Sequence, residues 1–135
     1  MTQISGLDHI AITVADIDIS CKFYRDLFGA SQVFEYAVAG KAAVRQLYLG
    51  GARLSVHQAG NGIELVAKRP TVGSADICMR WNGSIESAVA LLREHKLPII
   101  DGPSPRENAS GQPSQSVYFR DPDGNLLELM AANPI

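Results

Sequence analysis

Residues 117–130 constrain the fold of this chain more than any other stretch. Val117, Tyr118, Phe119 and Arg120 run into Asp121, Pro122, Asp123, Gly124 and Asn125, and an apolar run from Leu126 to Met130 follows. The pattern predicts strand, tight turn, strand: Pro122 presets φ for the turn, Gly124 supplies a positive φ, and the Asp and Asn side chains cap the backbone locally. The second strand carries one carboxylate, Glu128, among leucines and a methionine. A charge rarely sits in a sheet core unless a partner or a metal satisfies it, so Glu128 is the first candidate functional residue.

The chain upstream reads as one set of elements stated twice. Residues 7–14 alternate as a strand, with Ile10, Ile12 and Val14 on one face and His9, Ala11 and Thr13 on the other. Asp16 is suited to cap a helix whose apolar positions are Ile17, Cys21, Tyr24, Leu27 and Phe28, and Gly29 ends it. Strands are predicted at 32–38, 43–49 and 53–58, broken by glycines, and 59–74 reads as a connection in which 63–66 extend the last strand at most. A strand at 75–81, a helix capped by Ser84 on Ile85, Ala88, Val89 and Leu92, a strand start at 97–101, and strands at 116–120 and 126–131 repeat the order. Residues 102–115, with three prolines, read as a polar loop: a mobile lid or plain disorder. The prediction is one α+β domain of two βαβββ modules, at about 5–60 and 73–133.

Hydrophobic parity registers the modules, because a one-residue slip turns every strand side chain to the opposite face. Matching Ile10, Ile12 and Val14 with Ile77, Met79 and Trp81 sets Asp76 opposite His9 and Cys78 opposite Ala11. In the closing strands Leu54 and Val56, and Leu127, Leu129 and Ala131, face the helix. His57 and Glu128 then face away from it. His9, His57, Asp76 and Glu128 are thus expected on the concave faces of two curved mixed sheets around a central cavity. Two neutral imidazoles with one or two carboxylates suit a divalent metal, with positions left for water and substrate. Asp76 is also suited to capping its strand or orienting a ligand histidine. Arg45, Arg53 and Arg80 are candidates for holding an anionic substrate, or are solvated edge charges. Cys78 reads as a small buried residue, Tyr118 and Trp81 as core or pocket wall, and His95 as exposed on the second helix.

Length and composition exclude several classes. A net charge of −2 gives no electrostatic case for nucleic acid or an anionic membrane, and no apolar run reaches a membrane span. The N-terminus lacks a signal pattern, and Cys21 and Cys78 form neither a disulfide framework nor a zinc spacing, so a reducing, cytoplasmic location is expected.

On residues 7–14 with their histidine, Phe23, Tyr24, Leu27, Phe28 and Gly29 of the first helix, and residues 117–130, the chain resembles the vicinal oxygen chelate superfamily of glyoxalase I, bleomycin resistance proteins and extradiol dioxygenases. It also resembles the small glyoxalase-domain proteins at residues 73–78 and 116–120. The resemblance implies paired βαβββ modules, a half-open barrel around a metal (zinc, nickel, manganese or iron), and a homodimer acting on a small molecule. The site lies within one chain or across the dimer. Its implied ligands are His9, His57, Asp76 and Glu128. Against glyoxalase I, the glutamate and histidine types are exchanged between the His57 and Asp76 positions. The implied activity is lyase or isomerase chemistry through a metal-stabilised, enediolate-like oxyanion, with Glu128 as proton shuttle. The alternatives are Fe(II) extradiol-type oxygenation and metal-free sequestration of a ligand.

Overall fold

The computed structural model describes residues 2–132. The chain divides into two compact units, residues 1–73 and 74–135. Unit 1 contains β1 (His9–Val14), α1 (Ile17–Phe28), β2 (Ser31–Val38), β3 (Lys41–Leu49) and β4 (Ala52–Gln58). Unit 2 contains β5 (Asp76–Trp81), α2 (Ile85–Glu94), β6 (Asp101–Glu107), β7 (Pro113–Arg120) and β8 (Leu126–Ala132). The strand orders are β1-β4-β3-β2 and β5-β8-β7-β6. In each sheet the first and last strands pair parallel and the others antiparallel. The fold is α+β, with two mixed four-stranded sheets and a helix in each unit, as the patterning predicts.

The helices begin and end where local chemistry directs. Asp16 accepts from the amides of Asp18 and Ile19, and Gly29 closes α1 in the left-handed region at φ 69°. Ser84 accepts from the amide of Ser87 at the start of α2. In unit 1 the core is built from Ile12, Val14, Ile17, Cys21, Tyr24, Leu27, Leu54 and Val56, all buried. In unit 2 it is built from Ile85, Ala88, Leu92, Val117, Phe119, Leu127, Leu129 and Ala131. Each fully buried Leu or Val contributes about 1.5–3 kcal/mol over its exposed state, which pins each sheet's register and so fixes which residues face away from the helix.

The turn at 121–125 is a small buried network. The Asp121 carboxylate accepts from the amides of Asp123 and Asn125 and from Asn125 Nδ2 at 2.8 Å. Asn125 Oδ1 accepts from the amide of Ala75 at 2.9 Å, which ties the entry of β5 to that of β8.

Three expectations are corrected. Residues 102–115 are not a lid: most of them are β6 and the start of β7. Pro103 and Pro105 are tolerated because β6 is an edge strand, where a missing amide hydrogen breaks no ladder. The remaining connection, 108–112, is a tight turn in which Asn108 Oδ1 accepts from the amides of Ser110 and Gln112. Residues 63–66 add no strand to β4, which ends at Gln58. The strand expected from 97 begins at Asp101.

Candidate functional site

Parallel pairing of β1 with β4 sets His9 level with Arg53, Ala11 with Ser55, and Thr13 with His57. Leu54 and Val56 are buried against the helix, so His9 and His57 share the opposite face of the sheet. On that face His9 Nδ1 meets Asp8 Oδ1 at 2.7 Å. The hydrogen bond, with the attraction of His9, holds the Asp8 carboxyl below the usual range. With Nδ1 engaged, Nε2 of His9 is the nitrogen left to take a ligand, the arrangement seen around metal-bound histidines. His57 Nε2 lies 3.3 Å from Ser55 Oγ. Burial pushes the His57 pKa down and nearby His9 pushes it further, so the ring is neutral at pH 7 and keeps a lone pair.

Aromatic rings also stand on this face. Val44 and Tyr36 continue the row of His57, and Gln46 and Phe34 continue that of Ser55. Tyr48 stands beside Arg53. Phe34, Tyr36 and Tyr48 are each about half exposed.

In unit 2, Asp76 is level with Leu126 and Cys78 with Glu128. Tyr118 flanks Glu128 from the other side. Leu127 and Leu129 are buried against the helix, so Asp76, Cys78, Glu128 and Tyr118 share the face away from it. Glu128 is half-buried, and among the described residues no salt bridge reaches it. Cys78 is exposed, not buried as its size suggests. Local desolvation of its thiol, then the charge of Glu128 and a hydrogen bond to it, push its pKa up to about 11. The thiol is therefore protonated and a poor nucleophile at neutral pH.

His9 and His57 share one sheet face, and Asp76 and Glu128 share another. Among the described residues, no three His, Cys, Asp or Glu side chains gather as a metal-binding cluster. The two units are also not identical in register. With Asp76 equivalent to His9, Leu126 is equivalent to Arg53, Glu128 to Ser55, and Met130 to His57. His57 thus lies two residues beyond the position that Glu128 holds in unit 2.

The arginine candidates separate. Arg45 is not on the His9 face: its guanidinium bonds Asp18 of α1 at 2.7 Å and Glu35 at 2.8 Å, on the helix side. Arg53 is on the His9 face, where it donates to Gln46. Arg80 is exposed on the Asp76 face. Trp81 lies on the helix side, with Nε1 donating to Ser87 Oγ. His95 is exposed and forms the C-cap of α2. Asp8 and Arg106 were not anticipated as site residues. Asp8 precedes the strand, where alternation no longer dictates direction, and Arg106 lies in the stretch read as loop.

The family model for the Glyoxalase/Bleomycin resistance protein/Dioxygenase superfamily matches residues 6–129. The chain belongs to this superfamily. It is 36% identical over 126 residues to virulence protein STM3117 of Salmonella typhimurium, covering 93% of this chain and 83% of that one. An integron cassette protein from the mobile metagenome of Vibrio cholerae has a solved structure that superposes with a TM-score of 0.86 at 36% identity, over 98% of this chain and 99% of that one. The metallothiol transferase FosB of Staphylococcus epidermidis is 29% identical over 94% of this chain and 84% of its own length. No helix of the described residues is long and apolar enough to cross a membrane.

Proposed function

We propose that this superfamily member is a metal-dependent enzyme acting on a small molecule, with His9, Glu128, Asp76 and His57 as the ligand set for a divalent ion and Glu128 as the group that moves a proton. The observation that carries this reading is the 2.7 Å contact of Asp8 with His9 Nδ1, which fixes the tautomer that presents Nε2. The donor chemistry fits: two imidazoles, one held neutral by burial, and carboxylates on a rigid strand face. The name of FosB, a metallothiol transferase, agrees in class. A bound ion would supply Lewis-acid stabilisation of an oxyanion on the substrate. Glu128, between Cys78 and Tyr118, accepts or returns the substrate proton, which is lyase or isomerase chemistry. The enzyme is proposed to work as a cytoplasmic homodimer.

Elemental analysis of the purified protein and of His9→Ala tests this reading. About one divalent ion per chain, lost in the variant, is expected, and the element separates a lyase from an Fe(II) dioxygenase. No ion in either protein, even after reconstitution with manganese, nickel, zinc and iron(II), overturns it. The second reading, sequestration of an aromatic small molecule without turnover, is favoured by the exposed Phe34, Tyr36 and Tyr48 on the same sheet face as His57 and Ser55.

A further inference from the structure

Arg106 is the functional-face residue that the ligand set leaves unexplained. It stands on edge strand β6, where its guanidinium carbon lies 5.2 Å from the centroid of the Tyr118 ring. Its Nε donates to the Tyr118 hydroxyl oxygen at 2.7 Å, and its other nitrogens are turned to Pro105 O at 2.7 Å and towards Asp101 at 3.7 Å. Tyr118 pairs directly across the sheet with Glu128. An arginine can only donate, so the lone pair it takes on the phenol oxygen leaves the tyrosine proton to point elsewhere. The side chain with acceptor oxygens on that side is Glu128, level with Tyr118 across the strand pair, and its negative charge, after burial, helps raise the Tyr118 pKa.

We infer that Arg106 and Tyr118 form a one-way relay that positions the Glu128 carboxylate, with Arg106 acting only through Tyr118. The inference rests on the reading of Glu128 as a functional carboxylate. The path of β6 agrees with it: Gly102 lies where a Cβ would stand 2.4 Å from Ser116 O, so β6 starts in close contact with β7 beside Asp101, the residue level with Tyr118.

Two measurements test the relay. The first is on metal-free protein with 13C-labelled tyrosine. A slowly exchanging Tyr118 hydroxyl proton should be visible by NMR and should be lost in both Arg106→Gln and Glu128→Ala, with each variant's fold checked by circular dichroism. A proton that survives either substitution overturns the relay. The second is Mn(II) affinity. Tyr118→Phe and Arg106→Gln should each weaken binding about tenfold, and the double variant should be no weaker than Tyr118→Phe alone. Additive losses, or an unchanged affinity in Tyr118→Phe, overturn it. A wild-type protein that binds no Mn(II) refutes the metal reading instead, and the NMR arm still decides the relay.

Discussion

Asn125→Ala is the sharpest test of how the 121–125 turn holds unit 2. Asn125 is 1% exposed and Asp121 6% exposed, so neither side chain finds water when its partner is removed. The substitution deletes two bonds: that from the Ala75 amide at 2.9 Å, and the charge-assisted bond to Asp121 at 2.8 Å. The first is worth about 1 kcal/mol and the second about 2, so a loss of about 3 kcal/mol is expected. For a domain of this size that lowers Tm by about 10 °C. Urea unfolding followed by the fluorescence of Trp81, the one tryptophan, reads the same unit directly. Asn125→Asp should be at least as damaging, because it sets a second carboxylate against Asp121 and removes the Nδ2 donor. A loss under 1 kcal/mol in Asn125→Ala would refute the view that this network, and not packing alone, joins the entries of β5 and β8.

Three further outcomes follow from the same geometry. Gly102→Ala should cost about 3 kcal/mol or more in urea unfolding, since φ is +97° and the new Cβ would meet Ser116 O at 2.4 Å; a neutral substitution would show that β6 yields freely. Cys78, though exposed, should react slowly with iodoacetamide at pH 7.4 and speed up about tenfold per pH unit towards its pKa of about 11, as mass spectrometry would follow; a fast reaction at neutral pH would refute the protonated thiol. Because the His57 pKa is lowered on folding, the unfolded chain takes up its proton first as pH falls below the ordinary value near 6.5. Stability contributed by neutral His57 is therefore complete above that pH and lost progressively below it, and His57→Gln should flatten the acid limb of a stability–pH curve below about pH 6.5.

Much of this molecule was legible from alternation alone. Ile12 and Val14 opposing His9, and Leu127 and Leu129 opposing Glu128, are sufficient to predict which face each strand buries, because burial of one face allows only one register; Ile10, expected on the same buried face, is instead 42% exposed near the start of β1. The helix limits at Asp16 and Gly29 followed from side-chain capping and a left-handed φ. β6 was hidden because Pro103 and Pro105 speak against a strand unless it lies at an edge, and edge position is a property of the whole sheet. Arg45 was misplaced because its strand was never put in register: it pairs with Val56, which faces the helix. The equivalence of Glu128 with Ser55 was obscured by connection length. β5 to β8 spans 50 positions from Asp76 to Leu126, whereas β1 to β4 spans 44 from His9 to Arg53.

The two units therefore share a scaffold but not a surface. Each has the same strand order, the same parallel pairing of first and last strands, and a helix over the apolar face. The face left free carries imidazoles and aromatic rings in unit 1, and in unit 2 carboxylates, a thiol and a tyrosine under an arginine. Because register is fixed by the opposite, buried face, these residues can change type without disturbing the fold, which is how a superfamily with one architecture accommodates different chemistries. Position on the free face, and not the turn sequence or the helix caps, is therefore where the specificity of this chain has to be sought. Ser55 stands where unit 2 has Glu128, so on that strand the free face offers the His57 imidazole, two residues further on and 3.3 Å from Ser55 Oγ, in place of a carboxylate.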